Sequence, residues 1–202
     1  YIYVDDAINA LGGISALATF ADGRDETIYI DEINGHEKPS MANIGDGTPF
    51  VEQCVYAYEK QGDNYQLITL HDVNTTANDW SNRPSYDTVR NVGDYDNGAS
   101  GTPVHATNVM NYDIKNGTNA IQAIEENAAG SVLDTDNVVS LTASTIFVDV
   151  EGNVTYTGYT NVPTMTDITF YVVYNRQLNA DVVFITDGAD NSTSDSFFYV
   201  TD

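Results

Sequence analysis

The stretch from Thr145 to Gly188, TIFVDVEGNVTYTGYTNVPTMTDITFYVVYNRQLNADVVFITDG, constrains this chain most, because it carries the densest alternation of apolar and polar residues. Ile146, Phe147, Val148 and Val150 form a first strand, closed at Glu151-Gly152-Asn153 by a tight turn that a glycine can make. Val154 to Tyr159 follows as a short second strand. Asn161-Val162-Pro163-Thr164 then breaks the ladder, since proline has no N–H to donate and restricts the residue before it. Ile168 to Tyr174 and Val182 to Thr186, joined by the polar turn Asn175 to Ala180, read as an antiparallel hairpin. Ile168, Phe170, Val172 and Tyr174 share one face of its first arm, and Thr169, Tyr171 and Val173 the other. Both faces are largely apolar, so the hairpin is expected to be covered on two sides.

A looser copy opens the chain. Ile14 to Asp31 sets strand, polar turn at Asp22-Gly23-Arg24 and strand, aligning Ile14 with Ile168 and Ile30 with Ile185; Tyr1 to Asp5 matches Ile146 to Asp149. The expectation is the tail of one module followed by a nearly whole second one. The segment Val154-Thr155-Tyr156-Thr157-Gly158-Tyr159-Thr160-Asn161-Val162-Pro163, followed by strand, turn and Val182-Val183-Phe184-Ile185, resembles the repeated β modules of large Firmicutes surface proteins that carry S-layer homology domains. The likeness covers Ile146 to Thr186 well and Ile14 to Asp31 loosely. It implies a secreted, wall-attached structural array or adhesive stalk, and brings no catalytic residues with it.

Charge narrows the partners. Seven Lys and Arg against thirty Asp and Glu leave a net charge of −23. A polyanion neutralises nothing on phosphate, which argues against nucleic acid, and anionic membrane surfaces are disfavoured for the same reason. Solubility and mutual repulsion account for such a charge, with cation binding as the functional alternative. No run is long enough to span a bilayer as a helix, so no membrane insertion is expected. The chain begins and ends in strand-like residues, Tyr1-Ile2-Tyr3-Val4 and Phe197-Phe198-Tyr199-Val200, as an excised segment would. Its one cysteine, Cys54, excludes an internal disulfide. With no His or basic neighbour to lower its pKa, Cys54 reads as a buried small hydrophobe.

Along the chain, residues 37–49 are rich in Gly, Pro and Asn and read as a linker between a first module tail, 1–36, and a second module, 50–188; residues 189–202 read as a connector and the first strand of a following module. Phe50 to Lys60 and Tyr65 to His71 form a second hairpin about Gln61-Gly62-Asp63-Asn64. The apolar pattern collapses from Asp72 to Pro103, where one short strand near Tyr86 to Asn91 is expected. Val104 to Ile114 reads as a strand. In Asn119 to Ala129, Ile121, Ile124 and Ala128 recur at three and four residues; this favours a short helix, with strand as the alternative.

Candidate chemistry is sparse. His36, His71 and His105 have no His or Cys partner at zinc spacing. Three acidic clusters offer calcium-type oxygens: Asp94, Asp96 and Asn97; Asp134, Asp136 and Asn137; and Asp187, Asp190, Asn191 and Asp195. None matches the twelve-residue calcium loop. The last is the best metal candidate, since a cation there would stiffen one module against the next; no other cofactor is expected. Trp80, Tyr86 and Tyr95 lie together in the polar stretch, and aromatic faces on loops stack on sugar rings, although such residues also plug the wet edges of β cores. Four Asn-x-Ser/Thr sequons begin at Asn74, Asn116, Asn153 and Asn191, a number that the frequency of Asn and Thr explains without function. No Gly-x-Ser-x-Gly elbow or phosphate loop is present.

The sequence therefore predicts an all-β, antiparallel fold of sandwich-like or barrel-like modules with one short helix. The expected role is structural and non-catalytic: an extracellular segment of a repeat-built surface-layer-associated or adhesive protein, contacting neighbouring modules of the same protein and a cell-wall polymer or surface glycan. A carbohydrate-binding module using Trp80, Tyr86 and Tyr95 is the first alternative, and a wall-active hydrolase, which needs two carboxylates flanking one glycosidic bond, is the second.

Overall fold

The computed structural model describes residues 1–45, 47, 49–70, 104–126, 132–175 and 177–188. Among them there is no helix, and the elements are thirteen strands. The first three, β1 (Ile2–Ala10), β2 (Gly13–Phe20) and β3 (Asp25–Ile33), form a meander. A two-residue strand, β4 (His36–Glu37), extends the end of β3. Next, β5 (Cys54–Gln61) returns antiparallel beside β1, a Greek-key return, and β6 (Asn64–Thr69) turns back from it. Because β6 pairs parallel with β3 while β2 pairs with both β1 and β3, the ring β2-β1-β5-β6-β3 closes into a five-stranded barrel. Closure removes the free sheet edges that a five-stranded ribbon would expose.

The second sheet is open. Its members are β7 (Val104–Ile114), β10 (Ile146–Asp149), β11 (Val154–Thr157), β12 (Met165–Asn175) and β13 (Ala180–Asp187), in the order β11-β10-β13-β12-β7. A separate hairpin, β8 (Ala120–Glu126) with β9 (Val132–Ser140), ties to it through Ser140 N–H donating to Leu178 O at 2.7 Å. The hairpins expected about Glu151-Gly152-Asn153 and Asn175 to Ala180 are present as β10–β11 and β12–β13.

Two apolar cores follow from which faces are covered. The first fills the barrel with residues such as Ile14, Ile28, Ile30 and Leu67, and continues into Val148, Tyr171, Val173, Val182 and Phe184 of the open sheet. The second lies on that sheet's other face, where Ile168, Phe170, Val172 and Tyr174 meet Ile121, Val139 and Leu141. The alternation read along β12 is thus the division between the two cores. Where barrel and sheet meet, strands are buried on both faces: Ile2, Tyr3 and Val4 in β1, and Cys54, Val55, Tyr56 and Ala57 in β5. The Tyr3 and Tyr171 rings cross this seam with centroids 6.2 Å apart. Each buried side chain of this size contributes about 1.5–3 kcal/mol, so the seam is a substantial part of the total.

Three expectations are corrected. The short helix over Asn119 to Ala129 is strand wherever it is described, because β8 pairs with β9 from Ala120↔Ser140 to Glu126↔Val132. The register slips between Ala123 and Glu125, where the single residue Ile124 stands opposite Thr135 and Asp136, so the bulge lies in β9; the spacing of three and four in β8 is a property of its apolar residues alone and does not fix the element. The segment 37–49 does not separate sheets, since β1 with β5 and β3 with β6 pair across it. Finally, the two copies of the strand-turn-strand pattern are not repeats in space. β1 lies antiparallel to β2, the first arm of its hairpin, whereas β10 lies parallel to β13, the second arm of its own.

Candidate functional site

Of the acidic residues singled out as a metal set, Asp187 is the exposed last residue of β13, paired with Thr169; Asp190, Asn191 and Asp195 lie outside the described residues. Trp80, Tyr86 and Tyr95 lie outside them too, as do Asp94, Asp96, Asn97 and His71. Asp134, Asp136 and Asn137 fall within strand β9 rather than in a turn. Among the described residues, no three His, Cys, Asp or Glu side chains converge as metal ligands. His36 belongs to the small extension β4.

The structure brings forward a cleft on the barrel wall that the sequence reading passed over. It has a volume of about 570 Å³ and is lined by Asp5, Asp6, Phe50, Val51, Glu52 and Gln53. Its origin is a β-bulge. The β1–β2 register jumps from Val4↔Ala18 to Asp6↔Leu17, leaving Asp5 as the extra residue, and both Asp5 and Asp6 are exposed. Opposite them, several contacts hold the segment entering β5. Glu52 Oε1 accepts a hydrogen bond from Ala7 N–H at 2.7 Å. The Tyr56 hydroxyl donates to Val51 O at 2.6 Å, and the Phe50 ring stacks on Tyr56 at 5.3 Å with planes 6° apart. Gln53 takes a left-handed φ of 53°, uncommon for a residue with a side chain. The result is an open cleft whose lining is mostly polar and carries the exposed Asp5 and Asp6 carboxylates, suited to polar or cationic groups. The legible signal was Asp5-Asp6, two consecutive acids in an otherwise alternating strand.

A second cluster sits in the seam, where the Cys54 thiol donates to Val55 O at 3.8 Å and the Tyr171 and Tyr3 rings lie 6.2 Å apart. Burial pushes the Cys54 thiol up to about 11, and the neighbouring Val55 and Tyr171 only partly oppose this. Burial likewise pushes the Tyr3 phenol up to about 12, assisted by Asp5, and holds Tyr171 well above the ordinary range, assisted by Cys54. A nucleophilic cysteine needs the opposite environment, so this group is packing, as the sequence indicated.

A third cluster surrounds the β3–β6 pairing. Asn64 Nδ2 donates to Asp31 Oδ2 at 2.6 Å and Gln66 Nε2 to Glu32 Oε2 at 3.1 Å. Burial raises the Glu32 pKa, and Asp31, Glu37 and Glu59 raise it further. Along the barrel strands β2, β5 and β6, Phe20, Tyr58 and Tyr65 form an aromatic cluster with Arg24 stacked 4.3 Å above Phe20 and Lys60 5.0 Å from Tyr65. Among the described residues, Arg24 and Lys60 are therefore engaged over aromatic rings. The β1–β2 hairpin ends in apolar side chains turned to water, with Ile8 65% and Leu11 100% exposed.

No family model, no curated protein and no solved structure matches the chain.

Proposed function

We propose that this chain is a non-catalytic structural segment of an extracellular, repeat-built surface-layer-associated or adhesive protein, where it spaces, displays or assembles neighbouring modules. The observation that carries the reading is the first core, which runs unbroken from the barrel interior into Val148, Tyr171, Val173, Val182 and Phe184 of the open sheet. A large apolar interface makes two sheets move as one body, which is what a spacer requires. A net charge of −23 keeps such a body soluble and favours polar or cationic contacts at its surface. The resemblance of Val154 to Pro163 and of the following hairpin to surface-protein modules points the same way.

The test compares two variants in the protein's own cells. Phe184→Ala, which opens a cavity at the seam, is expected to abolish incorporation into the cell envelope. The pair Asp5→Asn and Asp6→Asn, which strips the cleft rim, is expected to leave incorporation intact. The reverse pattern overturns the structural reading and makes the cleft the working part, as does finding the wild-type protein only in the cytoplasmic fraction.

The second reading is carbohydrate binding. It draws on the Greek-key barrel, since small five-stranded barrels of that kind include oligosaccharide-binding modules, an argument from fold analogy. Alanine at Trp80, Tyr86 and Tyr95 together is the discriminating variant: unchanged glycan-array binding removes those residues from the account. Incubation with peptidoglycan tests the remaining alternative, a wall-active hydrolase, which a released product would support.

A further inference from the structure

Frequency alone accounts for four sequons, but two of them lie among the described residues and their surroundings differ. In Asn116-Gly117-Thr118 the machinery is already occupied. Asn116 Nδ2 donates to Thr160 O at 2.9 Å and to Val162 O at 2.8 Å, and the Thr118 hydroxyl accepts from Lys115 N–H at 3.1 Å. Attaching a sugar to that nitrogen replaces one of its two hydrogens, so one of the two carbonyls loses its donor.

Asn153-Val154-Thr155 is open at its acceptor, with the Thr155 methyl resting against Gly23 of the turn between β2 and β3. Asn153 is exposed, has a left-handed φ of 52°, and its side chain makes no hydrogen bond to a described residue. The turn that presents it is rigid. Gly152 N–H donates to Asp149 Oδ1 at 2.8 Å, Asp149 is 2% exposed, and a Cβ on Gly152 would come within 2.5 Å of Asp149 Oδ2. Thr155, which supplies the sequon hydroxyl, is exposed on β11. That strand ends the order β11-β10-β13-β12-β7, so the sequon stands at an edge of the open sheet. Edge strands are templates for unwanted pairing and are commonly blunted by bulk or charge.

We propose that Asn153 is an N-glycosylation acceptor and that its glycan shields the β11 edge from pairing with another chain. The donor class is an oligosaccharide on a lipid pyrophosphate, delivered by an oligosaccharyltransferase. The Asn153 Nδ2–C1 bond forms, the bond from C1 to the pyrophosphate oxygen breaks, the lipid pyrophosphate leaves, and the displaced amide proton passes to a base of the transferase. No oxidant or reductant enters. The proposal rests on the extracellular reading, because such transfer occurs on exported chains.

The experiment is peptide mapping by mass spectrometry of the protein recovered from its own cell envelope, before and after an amidase that cleaves N-glycans and leaves Asp. The expected result is a glycan mass on the peptide holding Asn153, conversion of that residue to Asp, and an unmodified Asn116. Both Asn153→Gln and Thr155→Ala should reduce the modification to background; Thr155→Ala does so with Asn153 still in place. Bare Asn153 in envelope-derived protein overturns this proposal and leaves the structural reading standing, as does modification of Asn116 to the same extent. Recovery of the protein only from the cytoplasm overturns both.

Discussion

The closed barrel and the open sheet solve the same problem in opposite ways. In the barrel, five strands pair in a ring, so every strand has two neighbours and the inward side chains fill a single interior. In the open sheet, β11 and β7 each have one partner within the sheet, and its central strands are buried on both faces instead. The barrel therefore depends on closure, where β3 meets β6, and the sheet on cover: the barrel seals one face and the β8–β9 hairpin contributes to sealing the other. Two regions that lean on one seam should lose stability together.

The largest effect is expected from Phe184→Ala. Phe184 is fully buried, pairs with Val148 and Tyr171, and belongs to the core that both regions share. Truncating such a residue costs about 3–5 kcal/mol. Hydrogen exchange should show β2 and β5 of the barrel losing protection along with β12 and β13. If the barrel strands keep full protection, the two regions are independent and the comparison fails. Phe170→Ala, in the core on the sheet's other face, is the control: a similar cost is expected, but with the loss of protection greatest in β7, β8 and β12.

Glycine substitutions sharpen the contrast. A Cβ on Gly13 would overlap the Ile30 carbonyl oxygen of the neighbouring barrel strand, a backbone atom fixed by closure. A Cβ on Gly152 would first meet the Asp149 carboxylate, which can shift at the cost of its bond to Gly152 N–H. Overpacking of this kind costs about 1–3 kcal/mol. Gly13→Ala is expected at the upper end and Gly152→Ala at the lower, measured as urea midpoints at constant slope. Equal costs would mean that the barrel yields as easily as a surface turn.

How far the sequence reached follows the range of the interactions. The hairpins β10–β11, β12–β13 and β5–β6 were legible because a turn residue and alternation lie within one short segment: Gly152, Asn175 and Gly62 mark them. The pairings that define the architecture were not. β3 with β6 and β10 with β13 are parallel, join segments far apart in sequence, and leave no local trace. The three- and four-residue spacing of Ile121, Ile124 and Ala128 disguised β8 as a helix, and the bulge at Asp5 hid the cleft, because it adds a residue to a strict alternation. The residues chosen for sugar contact lie outside the described residues, and of the calcium clusters only Asp187 and the β9 residues Asp134, Asp136 and Asn137 lie within them, so the cleft stands on geometry alone.

Cys54 tests the seam chemically. With its thiol pushed up to about 11, the thiolate fraction at pH 8 is about 0.1%, and burial restricts access as well. The folded chain is expected to resist iodoacetamide at pH 8 and to react fully once unfolded in urea. Rapid labelling of the folded chain would mean that the barrel and sheet part frequently, which is the opposite of a shared core.

The smallest effect belongs to the closure itself. Burial raises the Glu32 pKa on β3, with Asp31, Glu37 and Glu59 adding to it and His36 opposing. For an acid whose folded pKa lies above its unfolded value, the native state holds the proton more tightly. Glu32 therefore contributes most below the ordinary carboxylate pKa, and that contribution fades as pH rises through the raised value. Glu32→Gln keeps a polar group facing Gln66 and removes the charge, so its stability relative to wild type should grow across that window and level off above it. The measurement is a pair of urea titrations at several pH values. A flat difference would mean that β3–β6 closure is indifferent to the charges around it, and would remove electrostatics from the account of why this barrel, unlike the neighbouring sheet, shuts.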